Sequence, residues 1–193
     1  GGRAAVYLGD FGEQLLSAGT GEFTDEDLAT PNADWVDPLG VRVWGHDVWT
    51  VPPNSQGYLS LAAALIVDGL DLPQEDNPLR AHLMVEAARQ AGHDRPAVLH
   101  EHADGEALVH PTRLDPRRGA IHADRVATLG DAWHDGDTMY LCAVDGEGMS
   151  VSLIQSNANG FGSHVTLPEL GIFLHNRGIG FSLEPGHPAS YGP

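Results

Sequence analysis

The stretch Gly136-Asp137-Thr138-Met139-Tyr140-Leu141-Cys142-Ala143-Val144-Asp145 decides how this sequence is interpreted. The apolar run from Met139 to Val144 predicts a β-strand that begins beside Thr138. A residue at the start of a strand can be presented at a sheet edge that faces a pocket. The position also suits an ordinary strand threonine, because a β-branched side chain packs well on a pleated surface. The residues alone leave both interpretations open.

Further strands are predicted downstream over 150–154 and 171–174, with glycine-rich turns between them. The sequence Asp145-Gly146-Glu147-Gly148 predicts that the first two strands form a hairpin. Cys142, the only cysteine, is predicted to be buried in the first strand, because its neighbours are apolar and a reactive thiol needs an exposed setting. A single cysteine excludes an internal disulfide and gives no sign of a thiolate metal site.

The sequence upstream of Thr138 alternates helical and extended patterns. The predicted elements are helices over 10–18, 55–70 and 78–92, a short helix capped by Thr24, and strands 41–44 and 48–51 joined by Gly45-His46-Asp47. The tryptophans at 35, 44 and 49 are predicted to pack on that hairpin. From Asp94 to Asp135 charges and prolines increase, which predicts a connector on the surface. Helices followed by a sheet imply a layered α/β domain.

The composition bounds the class of protein. With 193 residues and 41% apolar content, the chain can form one domain or a large part of one. Its 27 acidic and 10 basic residues give a net charge of −17, which repels nucleic-acid phosphates and anionic membranes. No apolar run approaches the roughly 20 residues that a membrane span needs. The first residues lack a secretion-signal pattern, but the chain opens without Met, so the compartment stays open.

Six short motifs follow one another along the chain. They are Val51-Pro52-Pro53-Asn54-Ser55-Gln56-Gly57, His82-Leu83-Met84-Val85-Glu86-Ala87, Gly136-Asp137-Thr138, Ser152-Leu153-Ile154-Gln155-Ser156-Asn157, Gly160-Phe161-Gly162-Ser163 and Leu174-His175-Asn176-Arg177. In this order they resemble the gamma-glutamyltransferase family, including its acylase-like branch. The resemblance implies the α/β N-terminal-nucleophile hydrolase fold, an αββα four-layer sandwich of which this chain is a part. It also implies that residues 1–137 end the large-subunit region and that residues 138–193 begin the β-rich small-subunit region.

The resemblance implies a precursor that cuts itself between Asp137 and Thr138. The new α-amino group of Thr138, with a reference pKa near 8, would then act as the general base for its own hydroxyl. The hydroxyl attacks an amide carbonyl, an acyl-enzyme forms, and water or an amine takes the acyl group. No cofactor is implied. The implied partners are a small-molecule amide and the rest of the precursor, through pairing of the large and small subunits, with neither nucleic acid nor membrane.

The resemblance also suggests roles for side chains near the nucleophile. Ser156 matches the hydroxyl residue that hydrogen-bonds and orients the threonine. The family's substrate-binding asparagine falls on Ala158, which has Asn157 and Asn159 on either side, so Asn157 is the candidate chosen. Asn176 matches the first residue of the family's Asn-Gln pair, and substrate binding is expected there too.

Arg177 takes the place of the glutamine in that pair, and Gly180 takes the place of the acid that holds the glutamyl ammonium. Burying that ammonium without a partner would cost several kcal/mol. Gly180 therefore argues against ordinary γ-glutamyl recognition and favours the acylase-like branch. Arg177 could bind an acyl carboxylate through two hydrogen bonds, or it could be a surface charge.

The family takes a carboxylate-binding arginine from before the region of Gly1 and oxyanion glycines from after the region of Pro193. This segment alone is therefore expected to be inactive or nearly so, because losing one oxyanion donor costs about 100- to 1000-fold in rate. The alternative hypothesis is a non-catalytic binding or structural module derived from the same family. It predicts no self-cleavage.

Eleven histidines raise the question of a metal site, and His100-Glu101-His102 is the densest cluster. His100 and His102 would share a face on a strand, but no third ligand lies at a recognisable spacing. The cluster is interpreted as a solvated loop, and no metal is predicted. His134, four residues before Thr138, is a candidate to assist self-cleavage.

Overall fold

The computed structural model describes residues 2–19, 21–31, 33–130 and 138–190. The chain divides into two compact units. The first unit combines Gly1–Asp34 with His134–Phe181, and the second combines Trp35–Trp133 with Ser182–Pro193. Among the described residues, no helix has the length and apolar character needed to cross a membrane.

The described secondary structure is a mixture of short helices and antiparallel strand pairs. The helices are α1 Arg3–Tyr7, α2 Asp10–Ala18, α3 Asp25–Ala29, α4 Tyr58–Asp68, α5 Pro78–Gly92, α6 Arg95–Val98, α7 Gly105–Val109 and α8 Pro111–Gly119. The strands are β1 Leu39–Val43, β2 His46–Thr50, β3 Met139–Val144, β4 Ser150–Gln155, β5 Thr166–Leu167 and β6 Ile172–Phe173. A 3-10 helix covers Arg177–Gly180. The strands pair as β1–β2, β3–β4 and β5–β6.

The β3–β4 hairpin confirms the strand pattern predicted after Thr138. Its register runs from the pair Met139–Gln155 to the pair Val144–Ser150. The Asp145 carboxylate closes the turn by accepting the backbone N–H groups of Glu147 and Met149, both at 2.9 Å. Every residue of the two strands is exposed, so the described part of the chain covers neither face of the hairpin.

Cys142 is exposed, and the prediction that it is buried was wrong. Its apolar neighbours predicted burial because a strand of that composition usually lies against a core. In the described chain, β3 pairs along its edge with β4 but has no layer packed on either face. Local composition reports that a strand is apolar, whereas burial depends on what packs against it.

The helices of the first unit confirm two predicted features. Helix α2 has the predicted bounds, and α3 begins with a capping box in which the side chains of Thr24 and Asp27 each bond the other residue's backbone N–H. The Arg3 guanidinium donates to the carbonyl oxygens of Leu28 and Thr30, both at 2.6 Å, and so satisfies acceptors at the end of α3. Strand β5, with its buried Leu167, was not predicted, because two residues carry too little pattern.

The β1–β2 hairpin of the second unit differs from its prediction in the position of the turn. The loop consists of Trp44 and Gly45, with φ angles of 52° and 79°, and β2 already begins at His46. Two successive left-handed residues form a turn whose twist matches that of the strands. The predicted turn Gly45-His46-Asp47 was placed too late, because a tryptophan in the left-handed region is uncommon.

The tryptophans do not form one packed group. The Trp49 ring lies across the strand pair over Gly40, so close that a Cβ on Gly40 would come within 2.2 Å of it. Trp35 and Trp44 are exposed. Trp49 is nevertheless 63% exposed, against 59% for Trp44 and 104% for Trp35, so the contact of the Trp49 ring with Gly40 is the part of the predicted packing that is confirmed.

Helices α4 and α5 form the main core of the second unit. The buried residues that they share with α8 are Ala62, Ile66, Val67, Ala87, Ala91 and Leu114. Helix α5 starts as predicted: the Asn77 side chain accepts the N–H of Leu79 at 2.9 Å, and proline occupies the first helical position. Buried Glu86 of α5 pairs with Arg89 and accepts the N–H of Ala127 at 2.8 Å, which fixes the segment that follows α8.

The segment after Asp94 is not the surface connector that was predicted. It contains α6, α7 and α8 and contributes buried residues to both core clusters. Its charges lie at internal contacts: Asp94 pairs with Arg113 at 2.9 Å and with Arg117 at 2.5 Å. Arg118 donates to the carbonyl oxygens of Leu65 and Ile66 near the end of α4. The high charge density predicted exposure to solvent, but these arginines form ion pairs and hydrogen bonds with other parts of the unit.

The Asp94 ion pairs predict a pH-dependent contribution to stability. Burial raises the pKa of Asp94, but the hydrogen bond from Arg117 and the charge of Arg113 outweigh it and hold the pKa below the ordinary 3.8. A depressed pKa stabilises the fold above the unfolded pKa, and this stabilisation disappears as the pH falls through and below 4. We expect Asp94→Asn to cost about 1 to 2 kcal/mol at pH 7 and clearly less at pH 2.

Urea unfolding of the two proteins at both pH values measures this difference. Asp47→Asn is the matched control, because Asp47 forms an exposed ion pair with Arg42 and should contribute less than about 1 kcal/mol at pH 7. A cost for Asp94→Asn that is unchanged at low pH would contradict the electrostatic explanation.

Candidate active site

Thr138 and Ser156 lie next to each other because they flank the β3–β4 ladder. Thr138 directly precedes β3, and Ser156 directly follows β4. Since Met139 pairs with Gln155, the residues one step further out lie side by side at the open end of the hairpin. The Thr138 hydroxyl donates to Ser156 Oγ with an oxygen–oxygen distance of 3.0 Å. The structure thus brings together the two residues predicted as nucleophile and orienting hydroxyl.

Ser156 is held by two further contacts. Its Oγ accepts the backbone N–H of Ala158 at 3.0 Å, and its carbonyl oxygen accepts the Arg177 guanidinium at 3.0 Å. Ala158 has a φ of 76°, a left-handed conformation that is unusual for a residue with a Cβ. In this conformation the Ala158 N–H donates to Ser156 Oγ. Sequence reasoning missed this backbone contact, because alanine gives no local signal for a left-handed residue.

An open pocket of about 700 Å³ adjoins the two hydroxyls. Its lining residues are Thr138, Met139, Tyr140, Gln155, Ser156, Asn157 and Gly160. Of the predicted site residues, Thr138, Ser156 and Asn157 line the pocket, and Asn176 and Arg177 do not. Tyr140 was not predicted, although the two-residue period of a strand places it on the same side as Thr138.

The Asn176 side chain is engaged within the chain. Its Oδ1 accepts the N–H of Asn159 at 2.9 Å, and its Nδ2 donates to the carbonyl oxygens of Asn159 at 3.2 Å and Gly162 at 3.1 Å. Its backbone N–H donates to the carbonyl oxygen of Asn157 at 3.1 Å. Both amide hydrogens are therefore donated to the backbone, and substrate binding by Asn176 stays a prediction.

The loop that Asn176 contacts needs glycine at one position in particular. Gly162 is buried with a φ of 71°, and a Cβ there would lie 2.4 Å from the carbonyl oxygen of Leu174. Glycine permits both the conformation and the close approach. The Gly160–Gly162 stretch forms a turn, as the sequence predicted.

Arg177 lies at the start of the 3-10 helix, and its guanidinium reaches Ser156. Among the described residues, no carboxylate pairs with Arg177. Gly180, at the end of the same helix, brings no side chain where the family's acid is expected. The exposed Arg177 guanidinium thus places a positive charge within hydrogen-bond distance of the Ser156 backbone.

Two predicted residues lie outside the described part of the chain. These are Asp137, on the upstream side of the predicted cut, and His134. His100, Glu101 and His102 lie in a bend and turn before α7. Across the described ranges, no group of three side chains is arranged to hold a metal ion.

Two relatives of similar sequence align with almost the whole chain. The oxamate amidohydrolase proenzyme of Klebsiella pneumoniae is 33% identical over 199 residues, covering 100% of this chain and 38% of the relative. The glutathione hydrolase-like YwrD proenzyme of Bacillus subtilis is 33% identical over 195 residues, covering 96% of this chain and 37% of the relative. The chain therefore spans less than two fifths of the length of these relatives.

Two solved structures are similar in fold. A cephalosporin acylase from Bacillus halodurans matches 98% of this chain and 36% of its own, with a TM-score of 0.80 and 33% identity. The gamma-glutamyltranspeptidase of Helicobacter pylori matches 65% of this chain and 39% of its own, with a TM-score of 0.59 and 23% identity, which shows the fold alone. These matches confirm the predicted α/β N-terminal-nucleophile hydrolase fold, present here in part.

The sequence model of one family, described as Gamma-glutamyltranspeptidase, matches residues 1–192. The relatives above carry the names of hydrolases and an acylase, so the predicted resemblance and its acylase-like aspect are confirmed. The family model matches nearly the full chain, and two relatives are 33% identical to it. The chain belongs to the gamma-glutamyltranspeptidase family.

Proposed function

We propose that this chain carries the nucleophile of a self-processing threonine amidohydrolase or acyltransferase that acts on γ-glutamyl or related acyl amides. The observation that carries the proposal is the 3.0 Å hydrogen bond from the Thr138 hydroxyl to Ser156 at the edge of an open pocket. Two relatives with names of proenzymes support a precursor that matures by cleavage. Because the chain spans 38% and 37% of their lengths, the activity is proposed for the whole protein.

Cleavage of the Asp137–Thr138 bond would convert the amide nitrogen of Thr138 into a primary amine. That amine takes the proton of the Thr138 hydroxyl as its oxygen attacks the substrate's amide carbonyl. The carbon–nitrogen bond of the substrate breaks, the leaving amine takes up the proton, and the acyl group remains on the threonine as an ester. Water or a second amine then attacks the ester and regenerates the hydroxyl. Before the attack Ser156 Oγ accepts the Thr138 hydroxyl. Once the amine has taken that proton, the Ser156 hydroxyl donates to Oγ1 of Thr138 instead.

The proposed acyl group carries a carboxylate and does not depend on a glutamyl ammonium. Gly180 supplies no anion for an ammonium group. Arg177 lies outside the pocket lining, but its guanidinium donates to the backbone carbonyl oxygen of Ser156, which does line the pocket. Guanidinium groups bind carboxylates through paired hydrogen bonds. Asn157 lines the pocket and is proposed as a polar contact for the substrate. The relatives named for oxamate and glutathione are consistent with this proposal, because both compounds carry carboxylates.

Purified full-length protein tests the proposal directly. We expect intact-mass measurement and N-terminal sequencing to find two fragments, the second of which begins at Thr138. A clear preference for glutamyl amides over dicarboxylic acyl amides would contradict the proposal that recognition does not depend on a glutamyl ammonium, and would leave the role of the nucleophile unaffected. A protein that hydrolyses such amides as one unbroken chain would contradict the proposed mechanism.

A further inference from the structure

The Asn176 side chain connects two positions of the loop that follows β4. Its amide oxygen accepts the N–H of Asn159, and its amide nitrogen donates to the carbonyl oxygens of Asn159 and Gly162. Its own N–H bonds the carbonyl oxygen of Asn157. The residue is half-buried and does not line the pocket. A single residue thus holds the loop over 157–162 at three positions.

This loop has little conformational stability of its own. Ala158, Gly160 and Gly162 all have positive φ angles, of 76°, 52° and 71°. A left-handed alanine persists only where its surroundings enforce it, because the conformation costs about 1 kcal/mol or more. The side-chain bonds of Asn176 to Asn159 follow Ala158, its backbone bond to Asn157 precedes Ala158, and together they provide that constraint.

The loop conformation determines where Ser156 points. The Ala158 N–H donates to Ser156 Oγ, and the same oxygen accepts the Thr138 hydroxyl. If the loop relaxes, the Ala158 contact is lost and the Ser156 side chain can turn away from Thr138. Misplacing a catalytic contact by about 1 Å can cost on the order of 100-fold in rate.

We propose that Asn176 is a positioning residue that acts through Ser156, and that it is not a substrate ligand. Its amide holds the loop in the conformation in which Ser156 Oγ accepts the Thr138 hydroxyl. This inference rests on the proposed function, since it concerns the same nucleophile. Both hydrogens of the Asn176 amide are donated to carbonyl oxygens, so the amide has no hydrogen left to donate to a substrate carboxylate.

A double-mutant cycle in the full-length precursor tests the proposal. The rate of self-cleavage is followed on gels for wild type, Asn176→Ala, Ser156→Ala and the double variant. We expect Asn176→Ala to slow cleavage by roughly 10- to 100-fold. In the Ser156→Ala background the same change should matter less than about threefold, because the contact through which Asn176 acts is already gone.

Asn176→Asp is a second variant of almost the same size. It keeps an acceptor for the Asn159 N–H but places an oxygen against two carbonyl oxygens, so slowing at least equal to that of Asn176→Ala is expected. Thr166→Ala is the control, because Thr166 is an exposed residue of the same unit with no side-chain hydrogen bond in the described structure. Melting temperatures show whether the variants fold.

Turnover of glutaryl-p-nitroanilide by processed protein provides a second readout. A positioning role predicts a lower kcat with KM within about threefold of wild type, whereas loss of a substrate contact raises KM. Effects of Asn176→Ala and Ser156→Ala that multiply, or a raised KM with unchanged kcat, would overturn this inference alone. A wild-type precursor that never cleaves would overturn the proposed function and this inference with it.

Discussion

Replacing Thr138 by alanine is expected to abolish self-cleavage and to lower turnover of acyl amides by at least about 1000-fold. The change removes the hydroxyl that donates to Ser156 and leaves the β3–β4 ladder intact, since the ladder begins at Met139. The precursor should therefore fold and remain a single chain. Intact-mass measurement detects cleavage, and release of p-nitroaniline from glutaryl-p-nitroanilide measures turnover.

Two control variants separate loss of the nucleophile from a general effect on the protein. Thr138→Ser keeps a hydroxyl at the same position and should retain measurable cleavage and turnover. Thr166→Ala removes an exposed threonine from β5 of the same unit and should behave as wild type. The non-catalytic module hypothesis predicts that Thr138→Ala changes nothing, so continued cleavage and turnover in that variant would contradict the proposed role of Thr138.

Replacing Arg177 by glutamate should lower kcat/KM for glutaryl-p-nitroanilide by about 100- to 1000-fold, because juxtaposed like charges cost several kcal/mol. Arg177→Gln removes the charge without reversing it, and a loss of roughly 10- to 100-fold is expected from the lost charge-assisted hydrogen bonds. Butyryl-p-nitroanilide has the same reactive bond and an acyl chain without a carboxylate. Its kcat/KM should change less than about threefold in Arg177→Gln.

The two substrates distinguish the possible roles of Arg177. The guanidinium also donates to the Ser156 carbonyl oxygen, so a purely structural role would reduce hydrolysis of both anilides equally. If neither reaction changes, Arg177 is a surface charge, as the alternative interpretation of the sequence holds. Either result would contradict the proposal that Arg177 selects for an acyl carboxylate.

The elements that the sequence predicted well depend on local signals. Helix α2, helix α5 and strand β3 have the expected bounds, because apolar periodicity, a proline at the first helical position and a terminal glycine act within the element itself. The capping box at Thr24 is also local, since its two side chains lie three residues apart. These interactions require no knowledge of the rest of the fold.

The errors arise where distant contacts decide the outcome. The segment after Asp94 was interpreted as a connector because its charges suggested solvent, yet Arg113 and Arg117 bond to Asp94, about twenty residues before them in the chain. Cys142 was expected to be buried, and whether its strand is covered depends on packing that composition does not describe. Sequence reports the character of a residue, and tertiary contacts determine its environment.

The candidate site shows the same division. The motif order led to Thr138, Ser156 and Asn157, and the structure places all three at one pocket. The part played by Asn176 could not be inferred from the sequence, because its bonds reach backbone groups 14 to 17 residues away. The residue type alone does not distinguish an asparagine that binds substrate from one that holds a loop in place.

Pairing of Met139 with Gln155 anchors the backbone one residue beyond the proposed cut. This anchor lies entirely downstream of Asp137, so it does not depend on whether the Asp137–Thr138 bond is intact. Breaking that bond would therefore leave both the anchor and the place of Thr138 beside Ser156 unchanged. Immature and mature protein would share the spacing of the two hydroxyls, so maturation would add a primary amine to a pair that is already in place.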